Sequence, residues 1–157
     1  MRRASFADMN CSIAQALEVI GEWWTPLIVR DLMLGVSRFD DFQSRLGISR
    51  NVLTERLGRL ESLGIVERAP YQEKPPRYDY RLTEKGRDLW VVMTAMREWG
   101  DRWAAPDGAP IVTLHRVCGH ETTIVPTCSH CGEVLDARDL KATHGPARGD
   151  ALPVPRH

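Results

Sequence analysis

The sequence predicts a mainly α-helical protein with a small β component, an α+β fold. Residues 38–63 form two helix-like segments separated by a Leu-Gly turn, and an alternating segment with prolines at its centre follows at 65–82. Beyond residue 105 the helical patterns stop, and two similar Cys-bearing turns appear. We therefore expect a helical body, one β hairpin beside it and a small C-terminal appendage.

The size and charge of the chain are compatible with nucleic-acid binding. Its 157 residues, 43% of them hydrophobic, suit one compact domain with an appendage. The formal net charge is zero, yet residues 38–87 hold 11 Lys and Arg against 8 Asp and Glu, an excess of three. Phosphate binding needs a local positive surface, so overall neutrality does not exclude it.

The chain lacks the sequence signals of membrane insertion or secretion. No stretch approaches the about 18 apolar residues of a membrane span, and the N-terminal MRRASFADMN has no apolar run after its arginines. We therefore expect a cytoplasmic protein without membrane contact. In that reducing compartment, the four cysteines indicate metal or redox chemistry sooner than structural disulfides.

Two helices are predicted before residue 36. The first covers residues 11–21 and places four apolar side chains on one face, namely Ile13, Ala16, Leu17 and Ile20. In the second, Thr25 is the predicted N-cap, and Pro26 then occupies the first helical position, where its missing N–H costs nothing. Gly35 ends this helix.

The next two helices form a helix-turn-helix. Phe39, Phe42 and Leu46 share one face of a helix over 38–46, and Gly47 permits a tight turn. Ser49 is the predicted N-cap of a second helix that runs to about residue 63. The apolar side chains of that second helix recur on one buried face: Leu53, Leu57, Leu60 and Leu63.

A hairpin and a long helix follow, which completes the order of a winged helix-turn-helix. Strands are predicted at 65–69 and 77–82, and the proline-bearing tip at 70–76 is expected not to pair. Thr83 caps a predicted helix over 84–103. We expect the first half of its apolar stripe to pack inward and the second half to contact a second copy; the stripe comprises Leu89, Val92, Met93, Met96, Trp99 and Trp103.

The second helix of the motif carries the residues predicted to contact duplex DNA. Its N-terminal end would enter the major groove, so Arg50, Asn51 and Thr54 could reach base edges. Phosphates would be held by Ser49 at the helix start and by Arg56 and Arg59 further along. Lys74 and Arg77 at the wing tip would reach an adjacent backbone or the minor groove. The alternatives are an ordinary solvated helix face and a protein-interaction module that uses the wing and the Cys/His tail.

The C-terminal turns predict a structural zinc site. His115-x-x-Cys118-Gly and Cys128-x-x-Cys131-Gly could bring four ligands to one tetrahedral Zn²⁺ in a zinc-ribbon-like hairpin, with His120 and His130 in reserve. Four protein ligands leave no open position for hydrolysis. The competing interpretations are a Cys128–Cys131 redox pair and a ribbon that has lost its metal.

Several segments resemble the HxlR-type family of bacterial winged helix-turn-helix transcription regulators. They are Cys11, LEVIGEWWTPLIVRDLMLGVSRFDDF, GISRNVLTERLGRLESLGIVER and PPRYDYRLTEKG, in the order and spacing of that family, over residues 11 to about 103. The resemblance implies a homodimer that represses or activates promoters, with dimer contacts from the N-terminal helix and the helix after the wing. Glu22, where the family often has lysine, and the Cys-bearing tail are departures.

The resemblance also suggests a signal. Some family members sense oxidants or electrophiles through a cysteine near the position of Cys11, which precedes a helix whose N-terminal end favours a thiolate. The alternative is a small, partly buried residue at a dimer contact. A small hydrophobic effector could bind among Trp23, Trp24 and Met96, although such residues are more often core.

The predicted organisation has three parts. Residues 8–103 form a DNA-binding and dimerisation domain, 110–140 the zinc-ribbon-like appendage, and 141–157 a disordered tail rich in Gly, Pro and Ala. We expect no enzyme, because no nucleophile–base–orienter set, Gly-rich phosphate loop or pair of carboxylates is present in the sequence.

Overall fold

A computed structural model describes residues 5–143 and 145–146 of the chain. Over these residues the elements are α1 (Ser12–Ile20), α2 (Trp24–Met33), α3 (Phe39–Leu46), α4 (Arg50–Ser62), β1 (Val66–Gln72), β2 (Arg77–Leu82), α5 (Glu84–Arg87), α6 (Trp90–Trp103) and a 3-10 helix, Ala137–Asp139. The two strands pair antiparallel. The predicted mainly α fold with one small hairpin is confirmed.

One apolar core joins α2, α3 and α4 to the base of the hairpin. Leu53, Leu57 and Leu60 recur every three or four residues along α4 and are almost completely buried. They belong to a core whose other fully buried members include Phe42 of α3, Ile28 and Val29 of α2, and Ile65 and Val66. This packing fixes which side of α4 faces outward.

A buried carboxylate ties α2 to α3. Asp31 is completely buried, and its Oδ1 accepts hydrogen bonds from Nε and Nη2 of Arg30 at 3.0 and 2.8 Å. Its Oδ2 accepts from Nε of Arg45 on α3 at 3.2 Å. The two arginines compensate the cost of burying the charge, so the first helix of the motif is held by an ion pair as well as by Phe42.

The predicted start of α2 is wrong by two residues. Trp23 already has helical dihedral angles, and the Thr25 N–H donates to the Glu22 carbonyl at 2.9 Å. The helical turn therefore begins before Thr25, which is buried inside the helix and is not its N-cap. Pro26 is tolerated because the first four N–H groups of a helix have no intrahelical partner.

The wing, β1 and β2 with the tip between them, pairs further than predicted. Pro70 lies opposite Tyr78, and after a bulge at Tyr71 the strand continues to Gln72 opposite Arg77, so the expectation that residues 70–76 stay unpaired is wrong for Pro70 and Gln72. A two-stranded hairpin tolerates Pro70 because one side of each strand needs no partner. The Gln72 amide closes the tip by donating to the carbonyls of Lys74 and Pro75 at 3.2 and 3.1 Å.

The predicted helix over 84–103 is interrupted. Thr83 is its N-cap, as expected, since Thr83 Oγ1 accepts from the Gly86 N–H at 3.1 Å. However, α5 ends at Arg87, the Leu89 N–H bonds three residues back to Gly86 at 3.3 Å, and α6 begins at Trp90. Gly86 packs so closely on Ile65 that a Cβ would lie 2.1 Å from the Ile65 carbonyl oxygen.

The chain divides into two compact units at Trp90/Val91, which differs from the predicted division near residues 103–110. In the second unit, Arg97 of α6 donates to the Ile111 carbonyl at 2.8 Å and to Thr113 Oγ1 at 3.1 Å. Glu98 accepts from the Ile124 N–H at 3.0 Å. These bonds hold the C-terminal segment on α6.

The tail predicted to be disordered over 141–157 lies outside the described residues except for 141–143 and 145–146. Within the described ranges, none of the helices has the length and apolar composition needed to cross a membrane.

Candidate nucleic-acid interface and paired cysteine turns

The outer face of α4 begins with the residues predicted to read DNA. Ser49 is the N-cap, as expected: its Oγ accepts from the Val52 N–H at 3.4 Å. Because Leu53, Leu57 and Leu60 point into the core, Arg50, Asn51 and Thr54 are exposed near the N-terminal end of the helix. The Thr54 hydroxyl donates to the Arg50 carbonyl at 2.9 Å, which leaves its oxygen available as an acceptor.

Arg50 is the most accessible cation of this face. Its guanidinium lies 5.0 Å from the Phe39 ring centroid and 4.0 Å from Asp40 Oδ1, while 71% of its side chain remains exposed. Contacts of this kind orient an arginine loosely without removing it from solvent. Phe39 and Asp40 therefore orient the Arg50 side chain, which can still move to contact a ligand.

A cleft of about 500 Å³ separates the start of α4 from the wing. Its lining includes three arginines, one before α3, one in α4 and one in β2, and two acidic side chains: Arg38, Arg50, Arg77, Asp40 and Asp41. Lys74 and Arg77 are exposed at the wing tip, as the hairpin pattern predicted. The cationic side chains of the helix and of the wing thus face a common space that a nucleic-acid backbone could enter.

Sequence reasoning missed Arg38 and Tyr71 in this cleft. The Arg38 guanidinium lies 5.0 Å from the Tyr71 ring centroid and 3.9 Å from Asp79 Oδ1. A β-bridge between Arg38 and Asp79 brings the residues before α3 beside β2. The available signal was an aromatic side chain, Tyr71, in the predicted tip of the hairpin. The prolines of the tip obscured its place in β1.

Arg56 and Arg59 of α4 have intramolecular partners. Arg56 binds Glu22 and Glu55, both at 3.2 Å, and only 15% of its side chain is exposed. Arg59 donates to the Glu18 carbonyl at 2.7 Å and lies 3.4 Å from the Glu18 carboxylate. Their predicted phosphate contacts stay a prediction, and any phosphate must compete with these carboxylates. Glu22, the departure from the family pattern, is thus the partner of Arg56.

The two C-terminal turns have the same backbone design. The His115 N–H donates to the His120 carbonyl at 2.9 Å, and the Gly119 N–H returns to His115 at 2.7 Å. Thirteen residues later the pattern repeats: the Cys128 N–H donates to Glu133 and the Gly132 N–H to Cys128, both at 2.8 Å. Both glycines have positive φ, 72° and 78°, which residues with a side chain rarely adopt.

The predicted metal ligands lie in two separate pairs, one in each turn. His115 Nδ1 lies 3.3 Å from Cys118 Sγ. In the second turn, the backbone N–H groups of Cys131 and His130 lower the pKa of the Cys128 thiol. In the part of the chain that the structure describes, no three His, Cys, Asp or Glu side chains converge on one possible metal position. The predicted set of four is therefore not assembled.

Cys11 and the apolar surfaces of α1 and α6 are the remaining candidates. Cys11 is half-buried, immediately before α1, and Ile13 and Leu17 on that helix are exposed. Trp23 is 90% exposed. Met96 lines an open apolar depression of about 540 Å³ on α6, together with Val91, Val92, Ala95 and Trp99.

The whole helix-turn-helix region matches the model of the HxlR-like helix-turn-helix family, over residues 19–108. The chain belongs to this family. A similar relative is MT3179 of Mycobacterium tuberculosis, an uncharacterised HTH-type transcriptional regulator that is 43% identical over 136 residues, 86% of each chain. A regulator of the same type from Methanothermobacter thermautotrophicus is 38% identical over 96 residues, 60% of this chain and 73% of the other.

Solved structures support the same assignment. The crystal structure of PA1607, a proposed transcription factor, is 34% identical with a TM-score of 0.79, and the match covers 90% of this chain and all of that one. The redox regulator HypR in its oxidised form is 36% identical with a TM-score of 0.54, and the match covers 59% of this chain and 96% of HypR. The chain is thus a transcription regulator with a DNA-binding helix-turn-helix.

These matches differ in how much of the C-terminal segment they include. The match to MT3179 spans 136 residues, so it extends through both Cys-bearing turns even if it begins at Met1. The family model ends at residue 108, before the first turn. The appendage is therefore shared with some relatives and lies outside the segment that defines the family.

Proposed function

We propose that this HxlR-like protein binds promoter operators as a homodimer and reads their sequence with α4 in the major groove. The observation that carries the proposal is the sidedness of α4: three leucines anchor one face in the core, and Arg50, Asn51 and Thr54 are exposed at its N-terminal end. Arg pairs with the two acceptors of guanine, and Asn pairs with adenine, each through two hydrogen bonds.

The wing supplies the contacts that fix the position of α4. Lys74 and Arg77 at its tip, with Arg38 and Arg50 across the cleft, present positive charge to the DNA backbone beside the groove. Asp40 and Asp41 prevent this surface from being uniformly basic, which limits binding to arbitrary sequences. Phosphates then set the register, and base contacts provide specificity.

Exposed apolar residues support the homodimer. Val92, Met96, Trp99 and Trp103 recur along one face of α6, and all four are exposed. Ile13 and Leu17 expose a second apolar face on α1. A monomer rarely leaves a large apolar face such as that of α6 in water. Twofold pairing would place two half-sites about one helical turn, or a multiple of it, apart.

The regulatory signal is proposed from Cys11. The neighbour HypR is a redox regulator, and Cys11 lies beside the exposed face of α1, so oxidation there would change dimer geometry and operator affinity. We expect peroxide to alter operator binding by the native chain and not by Cys11→Ser; equal peroxide responses would contradict this. A small hydrophobic effector in the α6 depression is the alternative signal.

The operator is found first by selecting bound fragments from random genomic DNA. Affinity for the selected duplex is then measured against salt concentration for the native chain, Arg50→Ala and Arg138→Ala. Arg138 is an exposed arginine outside the helix-turn-helix, and its removal deletes the same charge. We expect Arg50→Ala to weaken binding by about 1–3 kcal/mol and to relax one base preference.

Two results would contradict the proposal. One is equal affinity for Arg50→Ala and Arg138→Ala, which would place Arg50 outside the interface. The other is binding that does not weaken with salt, since phosphate contacts release counterions. Salt-insensitive capture of a protein instead of DNA would favour the interaction module.

A further inference from the structure

We propose that the two C-terminal turns hold one structural Zn²⁺ ion through His115, Cys118, Cys128 and Cys131. The site is independent of DNA binding. The first support is that the two turns repeat the same backbone hydrogen bonds. A further pair of matching bonds lies on either side of the turns. The Thr122 N–H donates to the Thr113 carbonyl, and the Leu135 N–H donates to the Pro126 carbonyl, both at 2.9 Å. Each turn is therefore the end of a small hairpin.

The donors occupy the same two places in both hairpins. In each, one donor opens the turn and the other follows three residues later, next to the glycine with positive φ. Two ligands of a tetrahedral zinc, one nitrogen and one sulfur, lie about 3.6 Å apart when the Zn–N and Zn–S distances are about 2.1 and 2.3 Å. The 3.3 Å between His115 Nδ1 and Cys118 Sγ is close to that separation.

The second support is the absence of a core in this segment. None of the described residues from 104 to 143 is buried. The apolar side chains Leu114, Val117, Val125 and Val134 are all more than half exposed. Hairpins this small do not hold their shape through hydrogen bonds alone, and a metal or disulfide usually supplies the missing free energy.

Closing the site requires the two pairs to meet, because they are separate in the described residues. The hairpins are joined by residues 123–125, and Glu98 holds the Ile124 N–H in the middle of this link. In the proposed site this link changes conformation, the bond between Glu98 and Ile124 yields, and the hydrogen bonds within each hairpin stay intact. Each thiol loses its proton as its Zn–S bond forms, so one ion releases up to three protons.

The proposed role is structural, because four protein ligands complete the tetrahedron and leave no position for a substrate. Soft thiolates with one imidazole favour Zn²⁺ over Mg²⁺ or Ca²⁺. The competing possibility is a Cys128–Cys131 disulfide that forms and breaks with the redox state. That pair would need neither His115 nor Cys118.

The test uses the full-length chain, stripped with a chelator and reloaded with Zn²⁺ under a strong thiol reductant. After dialysis, we expect one Zn²⁺ per chain by elemental analysis and by mass spectrometry of the intact protein. Reloading with Co²⁺ should give the intense visible bands of a tetrahedral site. Cys118→Ser and Cys128→Ser should each lower zinc affinity by more than about 100-fold, whereas Ser129→Ala, a change within the same turn at a residue without a ligand role, should not.

Variants of the remaining histidines test the ligand assignment. His120→Ala and His130→Ala should retain the ion, and His115→Ala should lose it. Zinc below about a tenth of an equivalent per chain after reloading would overturn the proposal, as would equal zinc content in Cys118→Ser and the native chain. Operator binding, measured in parallel, reports whether the helix-turn-helix is folded in every variant, so failure here is distinguishable from failure of the DNA-binding proposal.

Discussion

Two glutamates divide the arginines of α4 into two groups. Glu18 and Glu22 bind Arg59 and Arg56, whereas Arg50 at the start of the helix is 71% exposed. Arg56 and Arg59 lie against α1 and the link that follows it, so these two arginines position α4. Arg50 is accessible to DNA. Identical side chains on one helix thus differ in role because of the carboxylates that face them.

Two glycines in helices give opposite expectations for the same substitution. A Cβ at Gly86 would lie 2.1 Å from the Ile65 carbonyl oxygen, whereas a Cβ at Gly58 meets nothing within 4 Å. Gly86→Ala should lower the free energy of unfolding by about 1–3 kcal/mol through overpacking. Gly58→Ala should raise it by about 0.5–1 kcal/mol, because alanine loses less backbone entropy in a helix. Chemical denaturation measures both.

The contrast between the two variants is the control. Both replace a hydrogen by a methyl group in a helix, so equal stabilisation of both variants would show that the close contact of Gly86 has no energetic effect. Gly58 also lies on the exposed side of α4, four residues after Thr54. Operator binding by Gly58→Ala therefore reports whether the DNA backbone approaches the helix at that position.

Local signals predict residue roles more reliably than distant ones. The caps Ser49 and Thr83 were predicted because the N–H groups they bind lie three residues away. The buried Asp31 was not predicted, since its partner Arg45 is fourteen residues away on another helix. The same holds for Arg56, whose partner Glu22 gives no sign of the contact in the sequence.

At the scale of elements, the helix-turn-helix follows its pattern closely, and the elements around it depart where tertiary contacts intervene. Helices α3 and α4 lie within a residue or two of their predicted limits because leucine periodicity, Gly47 and Ser49 agree. The break between α5 and α6 comes shortly after Gly86, which packs on the distant Ile65 carbonyl, a contact that no local pattern reveals. The wing extends past Pro70 because β2 is available to pair with it.

Helix α6 should determine the oligomeric state. Trp99 is 66% exposed on its apolar face, so Trp99→Glu places a charge in the proposed interface without disturbing the core. We expect the variant to sediment as a monomer and to bind a two-half-site operator at least about 10-fold more weakly, since burying an unpaired charge costs several kcal/mol. Analytical ultracentrifugation and titration with the operator measure the two effects.

Trp99→Phe serves as the matched variant, because it keeps an aromatic apolar side chain at the same place. It should remain dimeric. A dimeric Trp99→Glu would show that the apolar face of α6 is not the interface, and monomeric native protein would remove the homodimer from the proposed function altogether.

At the scale of the molecule, the sequence predicts which residues form the candidate sites. It predicts less well how separate elements bring these residues together. The exposed face of α4 and the pairing within each Cys-bearing turn follow from spacing, because both are set by one helix or one turn. The cleft with Arg38 and Tyr71 requires β1, β2 and the residues before α3 to meet. Whether the two pairs of proposed metal ligands meet depends on the link between the hairpins, which spacing alone does not determine.

The two sides of α6 have different tasks. Arg97 and Glu98 bind the C-terminal hairpins, while Met96 and Trp99 belong to the apolar stripe. Since separate side chains serve the two purposes, the appendage could be gained or lost without changing the surface proposed for self-association. This modularity fits a family whose shared segment ends at residue 108. It also makes the hairpins a natural point at which to graft a reporter or a second binding module.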